Sequence, residues 1–242
     1  MMMYLYMFVA IQIMATLGAI AAYRTQDTRW PFIIGFNTML PVTCIILYHA
    51  DGVAWRHLML LGFVGIYLAR MNWVLLFWFA NTGAAKLKGQ MSRKELLGLP
   101  VIVANTFGWL YCLPFLWTAT RTGGFDLFDG LALGSYIIGT VFHFGADYQK
   151  RRFKSNPANK GQLITSGFWG LSRHPNYFGD FLIYLGFALS SGAIWGLAAP
   201  IANVAQYWLD AIPKNERQAA QKYSERWINY AARVKCFIPF VL

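Results

Sequence analysis

Apolar residues run through the chain in long blocks, and polar residues collect in the short stretches between them. The blocks do not alternate with the period of two that a half-buried strand shows, so the pattern predicts helices. Seven blocks are read as spans, each crossing needing about 20 residues. They are Met3–Tyr23, Pro31–His49, His57–Ala80, Leu96–Thr118, Leu127–Gly145, Phe178–Ser190 and Ala193–Ile212. The sixth is short, and either tilts or joins the seventh as a re-entrant hairpin through Ser190-Ser191-Gly192. The expected fold class is all-α: a polytopic membrane protein of about seven transmembrane helices, with residues 1–242 as one integral domain. Met1–Tyr23 has no basic leading region and is long enough to span, so it reads as a span and not as a cleavable signal.

Composition agrees with this. Hydrophobic residues make up 57% of the chain and charged residues 13%, against about 25% charged in soluble domains. The net charge of +11 would suit nucleic acid, but the cations lie between apolar spans, so that partner is excluded. Of the 21 Lys and Arg residues, eighteen fall on one side of the seven-span arrangement, Arg56 and Arg121 on the other, and Arg70 inside the third span. Such bias puts the N-terminus outside and the C-terminus in the cytoplasm. The two longest hydrophilic stretches, Ala146–Tyr177 and Pro213–Lys235, then share the cytoplasmic face. Cys44, Cys112 and Cys236 have neither zinc-site nor disulfide-framework spacing, and no metal is expected.

Candidate chemistry gathers on that face. Asp147, Arg151 and Lys154 are spaced i, i+4, i+7 and share one side of a helix continuing from the fifth span. They suit either an anionic cofactor or lipid headgroups. Gly167, Gly170 and Pro175 shape the next stretch into a loop. It offers Trp169 as a stacking surface, Arg173 and His174 as donors, Asn176 as donor and acceptor, and Asp180 four residues further on at a helix start. That mixture suits a polyphosphate bearing a ring and a ribose. Glu216, Tyr223, Trp227 and Tyr230 lie on the last helix, the three aromatics at i, i+4, i+7, a pattern that serves packing or an interfacial belt as readily as a ligand. Lys222, Arg226 and Arg233 offer charge-assisted donors beside them. Within the spans, Tyr67 and Arg70 are three apart, and a mid-span Arg marks a wet or paired interior. Asn37, Asn72 and His143 are further intramembrane polar groups, each suited to an interhelical hydrogen bond or to a substrate pocket. No Gly-x-Gly-x-x-Gly, Gly-x-Ser-x-Gly or His-Glu-x-x-His motif occurs, which leaves a Rossmann turn, a nucleophile elbow and a zinc protease unsupported.

Residues Ala146 to Gly186 carry Ala-Asp-Tyr-Gln-Lys-Arg-Arg-Phe-Lys-Ser-Asn-Pro, then Gly-Phe-Trp-Gly-Leu-Ser-Arg-His-Pro-Asn-Tyr-Phe-Gly-Asp. This run resembles the steroid 5-alpha-reductase superfamily, in particular its bacterial branch, and is similar to the sterol delta-14 and delta-7 reductases. The resemblance covers about the last hundred residues and includes the ending Phe237-Ile238-Pro239-Phe240. It implies NADPH-dependent reduction of an activated carbon–carbon double bond in a steroid-like or other lipid, by an enzyme in a bacterial inner membrane. Residues 1–125 would then supply the substrate side and 126–242 the cofactor-binding half. Asp147, Arg151, Lys154, Asn176, Asp180 and Tyr223 are the cofactor contacts the resemblance implies, and Trp169, Arg173, Tyr177 and Glu216 are further candidate cofactor contacts. The resemblance, through Tyr-x-x-Arg kept as Tyr67 and Arg70, implies Tyr67 as the catalytic tyrosine; Asn37, Arg70 and His143 are the candidate substrate-pocket residues. Where the 5-alpha-reductases carry a Gln-Glu pair on the second span, this chain has Asn37-Thr38-Met39-Leu40-Pro41. Expected partners are a lipid-soluble substrate and membrane lipids, with no obligate protein partner.

The isoprenylcysteine methyltransferases share the Arg-His-Pro-x-Tyr turn and use S-adenosylmethionine. Asp180 after Gly179, together with the cationic surplus, favours a reductase using a cofactor with three phosphates.

Overall fold

A computed structural model of the chain describes residues 1–79, 89 and 91–242. Ala80 at the end of the third expected span, and Lys86 and Lys88 of the following loop, lie outside the described residues. The described residues form helices and connecting turns, with no strand among them. In order these are α1 (Met2–Thr25), α2 (Arg29–Asn37), α3 (Met39–Tyr48), α4 (Ala54–Phe77), α5 (Arg93–Asn105), α6 (Leu113–Thr118), α7 (Leu127–Ser155), α8 (Phe168–Leu171), α9 (Pro175–Ser191), α10 (Ala198–Gln206), α11 (Ile212–Tyr223) and α12 (Glu225–Arg233).

Among the described residues, five helical stretches are long and apolar enough to cross a membrane: Met2–Thr25, Arg29–Tyr48, Ala54–Phe77, Arg93–Thr118 and Leu127–Ser155. These coincide with the first five expected spans. The sixth and seventh fall on shorter pieces. α9 has 17 residues, and after it Gly192 takes a left-handed φ of +62°. α10 has 9 residues and gives way to a π-helical turn at Tyr207–Ala211.

Prolines explain the interruptions. Pro41 has no N–H to offer the Asn37 carbonyl four residues back, and α2 parts from α3 at Thr38. Pro114 follows the wide turn Thr106–Tyr111 that joins α5 to α6. Pro213 follows the wide turn Tyr207–Ala211 in the same way. In both places the freed carbonyl lies in the widened turn.

The chain divides into two compact units: Met1–Phe128 with Phe187–Ala199, and Asp129–Gly186 with Pro200–Leu242. In the first, α5 opens on a capping box in which Ser92 and Glu95 serve each other's backbone N–H. Tyr67 is 2% exposed and Arg70 8%. Phe36 sets its ring edge-on to Tyr67 at 6.4 Å. Asn37 and Asn72 pair reciprocally, at 2.7 and 3.1 Å, a link between α2 and α4 worth roughly 0.6–1.7 kcal/mol in an apolar surround. Arg56 and Arg121, the two cations expected apart from the rest, hold backbone together. Arg56 is fully buried, donates to the carbonyls of Thr122, Gly123 and Gly124, and sits 4.5 Å from the Trp55 ring centre. Arg121 donates to the Ser190 carbonyl at 2.7 Å and pairs with Asp126.

In the second unit, α7 and the first part of α9 touch backbone to backbone. A Cβ on Gly179 would lie 2.3 Å from the His143 nitrogen, and one on Gly139 2.7 Å from the Gly179 carbonyl oxygen. Only glycines permit this approach, and it brings Asp180 to His143.

Candidate functional site

The Phe168–Asp180 stretch is the centre of the second unit, and it is tied at many points. Ser172 Oγ donates to the Phe237 and Cys236 carbonyls at 2.8 and 3.2 Å, and the Arg173 backbone N–H donates to the Lys235 carbonyl at 2.9 Å. Tyr230 reaches in from α12 and donates to the Trp169 carbonyl at 2.5 Å. Trp227 and Tyr230 of the expected aromatic stripe are both buried, so those two serve packing. Tyr223 instead stays half-buried with the Lys222 ammonium 5.1 Å from its ring centre.

Arg173 and Glu216 form a forked pair, Nε to Oε1 at 2.7 Å and Nη2 to Oε2 at 3.3 Å. The remaining Arg173 nitrogen donates to the Ala231 and Val234 carbonyls, both at 2.9 Å. His174 Nε2 lies 3.2 Å from Glu216 Oε1. Burial alone would raise the Glu216 carboxyl, but the hydrogen bonds from His174 and Arg173 and the nearby guanidinium outweigh it and hold the carboxyl at about 2. Burial lowers His174, Glu216 pulling the other way. The two shifts agree when a neutral imidazole donates through Nε2 to an ionised Glu216. Arg173 and Glu216 therefore brace the turn between α8 and α9 against α11 and α12.

The other carboxylate sits deeper. Asp180 is 4% exposed. Its Oδ2 accepts from Asn203 at 2.9 Å and from the Tyr207 hydroxyl at 2.5 Å, while Oδ1 lies 3.5 Å from His143 Nδ1. Tyr207 stacks on Tyr177 at 4.2 Å, and Tyr177 on His174 at 5.3 Å. Asn215 donates to the Tyr177 hydroxyl at 2.7 Å. The Tyr177 phenol is pushed up to about 12, by burial first; Asn215 opposes this, and the charges of Asp147, Asp180 and Asp210 add to it. Asp147 thus belongs to the same electrostatic neighbourhood as Tyr177 and Asp180.

Trp169 is buried in a cluster with Ala146 and Ile164. Its Nε1 donates to the Ala146 carbonyl at 3.0 Å, and the Lys150 ammonium lies 4.3 Å from the ring centre. One of its faces is therefore engaged by a cation. Asn176 is half-buried at the start of α9, and its amide makes no hydrogen bond to any described residue. Asn203 Oδ1 is a buried acceptor, 2% exposed as a residue, with no hydrogen-bonding partner. Asp147, Arg151 and Lys154 share the last turns of α7, as their spacing requires. His143 lies in this unit beside Asp180, whereas Tyr67, Arg70 and Asn37 belong to the first unit.

Sequence reasoning did not single out Asn203, Tyr207 and Asn215. The signal available was the i, i+4 pair Asn203 and Tyr207 inside an apolar block. His174, Glu216 and Cys236 bring donor atoms within 4.8 Å of one another, and their three separate chain segments hide this from any spacing rule. Arg173 Nε already occupies Glu216 Oε1, and burial raises the Cys236 thiol. A cation there would meet a fixed positive charge and a protonated sulfur, so the cluster reads as a charge network.

Residues 18–234 match the family described as "Protein of unknown function (DUF1295)". The chain belongs to this family. It is 33% identical over 160 residues to the delta(14)-sterol reductase of Schizosaccharomyces pombe, covering 56% of this chain and 37% of that protein. It is 28% identical over 158 residues to the delta(14)-sterol reductase of Methylotuvimicrobium alcaliphilum, covering 53% and 36%. A probable O-methyltransferase of Ustilaginoidea virens matches at 28% over 163 residues, covering 65% and 55%. The chain thus spans about a third of the length of these sterol reductases and about half that of the methyltransferase.

Proposed function

We propose that this DUF1295 protein is a membrane reductase that uses NADPH to saturate an activated carbon–carbon double bond of a sterol-like or other apolar lipid. One observation carries the reading. The turn from Arg173 to Asp180 is braced by Glu216, Ser172 and Tyr230, while the Asn176 amide it presents is left without a partner. A turn held this firmly costs little further ordering when a ligand meets it. The likeness to delta(14)-sterol reductases supports the same class of chemistry.

The groups present suit the cofactor. Arg151 and Lys154 offer cations for phosphates, Asn176 offers both a donor and an acceptor, and Asn203 Oδ1 is a buried acceptor in want of a donor. When bound, NADPH would supply the hydride. The Arg173–Glu216 pair holds the turn, and Tyr207 and Asn203 hold the Asp180 carboxylate in one orientation. Tyr67 is proposed as the hydrogen-bond donor that stabilises negative charge developing on the substrate.

The experiment is turnover with label. Membranes containing the protein, given NADPH deuterated at the transferable position and a delta-14 sterol, should yield a product heavier by one deuterium. Unlabelled or absent product from every conjugated lipid offered would remove the reductase reading. The likeness to an O-methyltransferase favours a second reading, S-adenosylmethionine-dependent methyl transfer, which predicts a methylated product instead.

A further inference from the structure

The last two turns of α7 carry a second polar face. Gln149, Arg152 and Phe153 follow at i, i+3, i+4, with Asn156 just past the end of the helix, and at about 100° per residue this face lies roughly opposite the one shared by Asp147, Arg151 and Lys154. With Asn159, Ile164 and Ser166 it lines a cavity of about 460 Å³, within the roughly 300–1,000 Å³ typical of small-molecule sites. The lining lies wholly within the second unit.

The cavity's framework is fixed. Gln149 donates to the Ser166 carbonyl and accepts from the Phe168 N–H, both at 3.0 Å. Gly167 closes over it with φ +60°, where a Cβ would lie 2.2 Å from Gln149 Nε2. Asn159 ties the far wall by donating to the Phe153 carbonyl at 2.9 Å. The groups left over are donors. The Arg152 guanidinium makes no hydrogen bond or ion pair with any described residue, nor does the Ser166 hydroxyl. The Asn156 side-chain Oδ1 accepts from the Ala158 N–H at 3.0 Å, and its NH₂ group makes no hydrogen bond to any described residue. No carboxylate lines the cavity. A donor-rich hollow with one planar cation selects an anion, and the guanidinium fork suits phosphate oxygens.

Position says which phosphate. α7 has 29 residues, about 44 Å of helix at 1.5 Å per residue, against a hydrocarbon core of about 30 Å. Its charged end from Asp147 onward extends past the apolar part, where headgroups lie. Phe153 and Ile164 give the hollow an apolar floor for a glycerol backbone.

We propose that this cavity is an anionic-phospholipid headgroup site with Arg152 as its charged contact, separate from the opposite α7 face assigned to the cofactor. It does not depend on the reductase reading. The test uses the full chain in nanodiscs of phosphatidylcholine alone or mixed with phosphatidylglycerol. The readouts are retained lipid by native mass spectrometry and the thermal midpoint. Wild-type protein should retain phosphatidylglycerol and gain thermal stability from it. Arg152→Gln, on an exposed residue, should weaken that retention about tenfold, as expected for losing charge-assisted hydrogen bonds. Asn156→Leu should act in the same direction, and Arg152→Lys should keep part of the effect. Equal retention by wild type and Arg152→Gln overturns the proposal. So does inorganic phosphate reproducing the stabilisation in pure phosphatidylcholine, which would make this a free-anion site. Loss of NADPH affinity in Arg152→Gln with lipid retention unchanged would assign the hollow to the cofactor and overturn it as well.

Discussion

Replacing Glu216 with glutamine isolates the charge that braces the turn between α8 and α9, because the amide keeps the shape and one acceptor. A carboxyl lowered from its ordinary 4.5 to about 2 contributes about 3 kcal/mol at neutral pH, at about 1.4 kcal/mol per pKa unit. With 26% of the side chain open to solvent, screening reduces this to about 2–3 kcal/mol. The midpoint of thermal unfolding of the detergent-solubilised protein should then fall by roughly 5–10 °C in Glu216→Gln, at about 2–4 °C per kcal/mol for a chain of this size. The sign with pH follows from the depressed value. The stabilisation is complete above the unfolded-state pKa of 4.5 and disappears as pH falls towards about 2. The gap between wild type and variant must therefore shrink through that window. His174 acts earlier: burial lowers its pKa below the ordinary 6.5, so unfolding takes up a proton below that value and both proteins lose stability there. Scanning fluorimetry across pH measures both effects. Equal midpoints at neutral pH, or a gap that stays constant through the acid window, would refute the reasoning.

Other outcomes follow from the same geometry. Asn176→Ala should weaken NADPH binding about tenfold while leaving the unfolding midpoint within a degree or so, since its amide has no partner to lose; titration calorimetry reads the first and scanning fluorimetry the second. Tyr207→Phe removes the 2.5 Å hydrogen bond to Asp180, and should cost about 1–3 kcal/mol of stability as a buried charged group loses a donor, measured by chemical unfolding. Gly179→Ala should abolish folded protein in membranes, because its Cβ would fall 2.3 Å from the His143 nitrogen; normal expression with wild-type gel-filtration behaviour would contradict the close approach of α7 and α9. Tyr67→Phe should leave NADPH affinity unchanged and slow turnover about a hundredfold or more, as removal of a single charge-stabilising donor does; normal turnover would make Tyr67 a lining residue.

Much of the fold was legible because apolar block length is a strong signal. The stretches from Met2 to Ser155 that cross by length and composition coincide with the first five blocks. Pro41, Pro114 and Pro213 mark where those or later helices break or widen. The sixth block reads as short, and α9 carries it before the left-handed Gly192; the seventh reads as a full span by composition, yet it falls into a 3-10 turn, the 9-residue α10 and the wide turn before Pro213. The site was legible in part. Spacing put Asp147, Arg151 and Lys154 on one face because a helix is a local rule. Glu216 stands 43 residues from Arg173, and Asn203 stands 23 from Asp180. No local periodicity links such pairs. Trp169 reads as an open stacking surface in sequence, but its N–H finds the Ala146 carbonyl, 23 residues away on α7, and the ring is drawn into the core.

Binding of a phosphorylated dinucleotide by the braced Arg173–Asp180 segment and the Asp147 face of α7 is proposed. Its most direct test is an equilibrium titration of NADPH and of S-adenosylmethionine into the purified full chain, with Asn176→Ala alongside. The expected result is saturable micromolar binding of NADPH that weakens in Asn176→Ala, with S-adenosylmethionine far weaker. Tight S-adenosylmethionine binding without NADPH binding would contradict it.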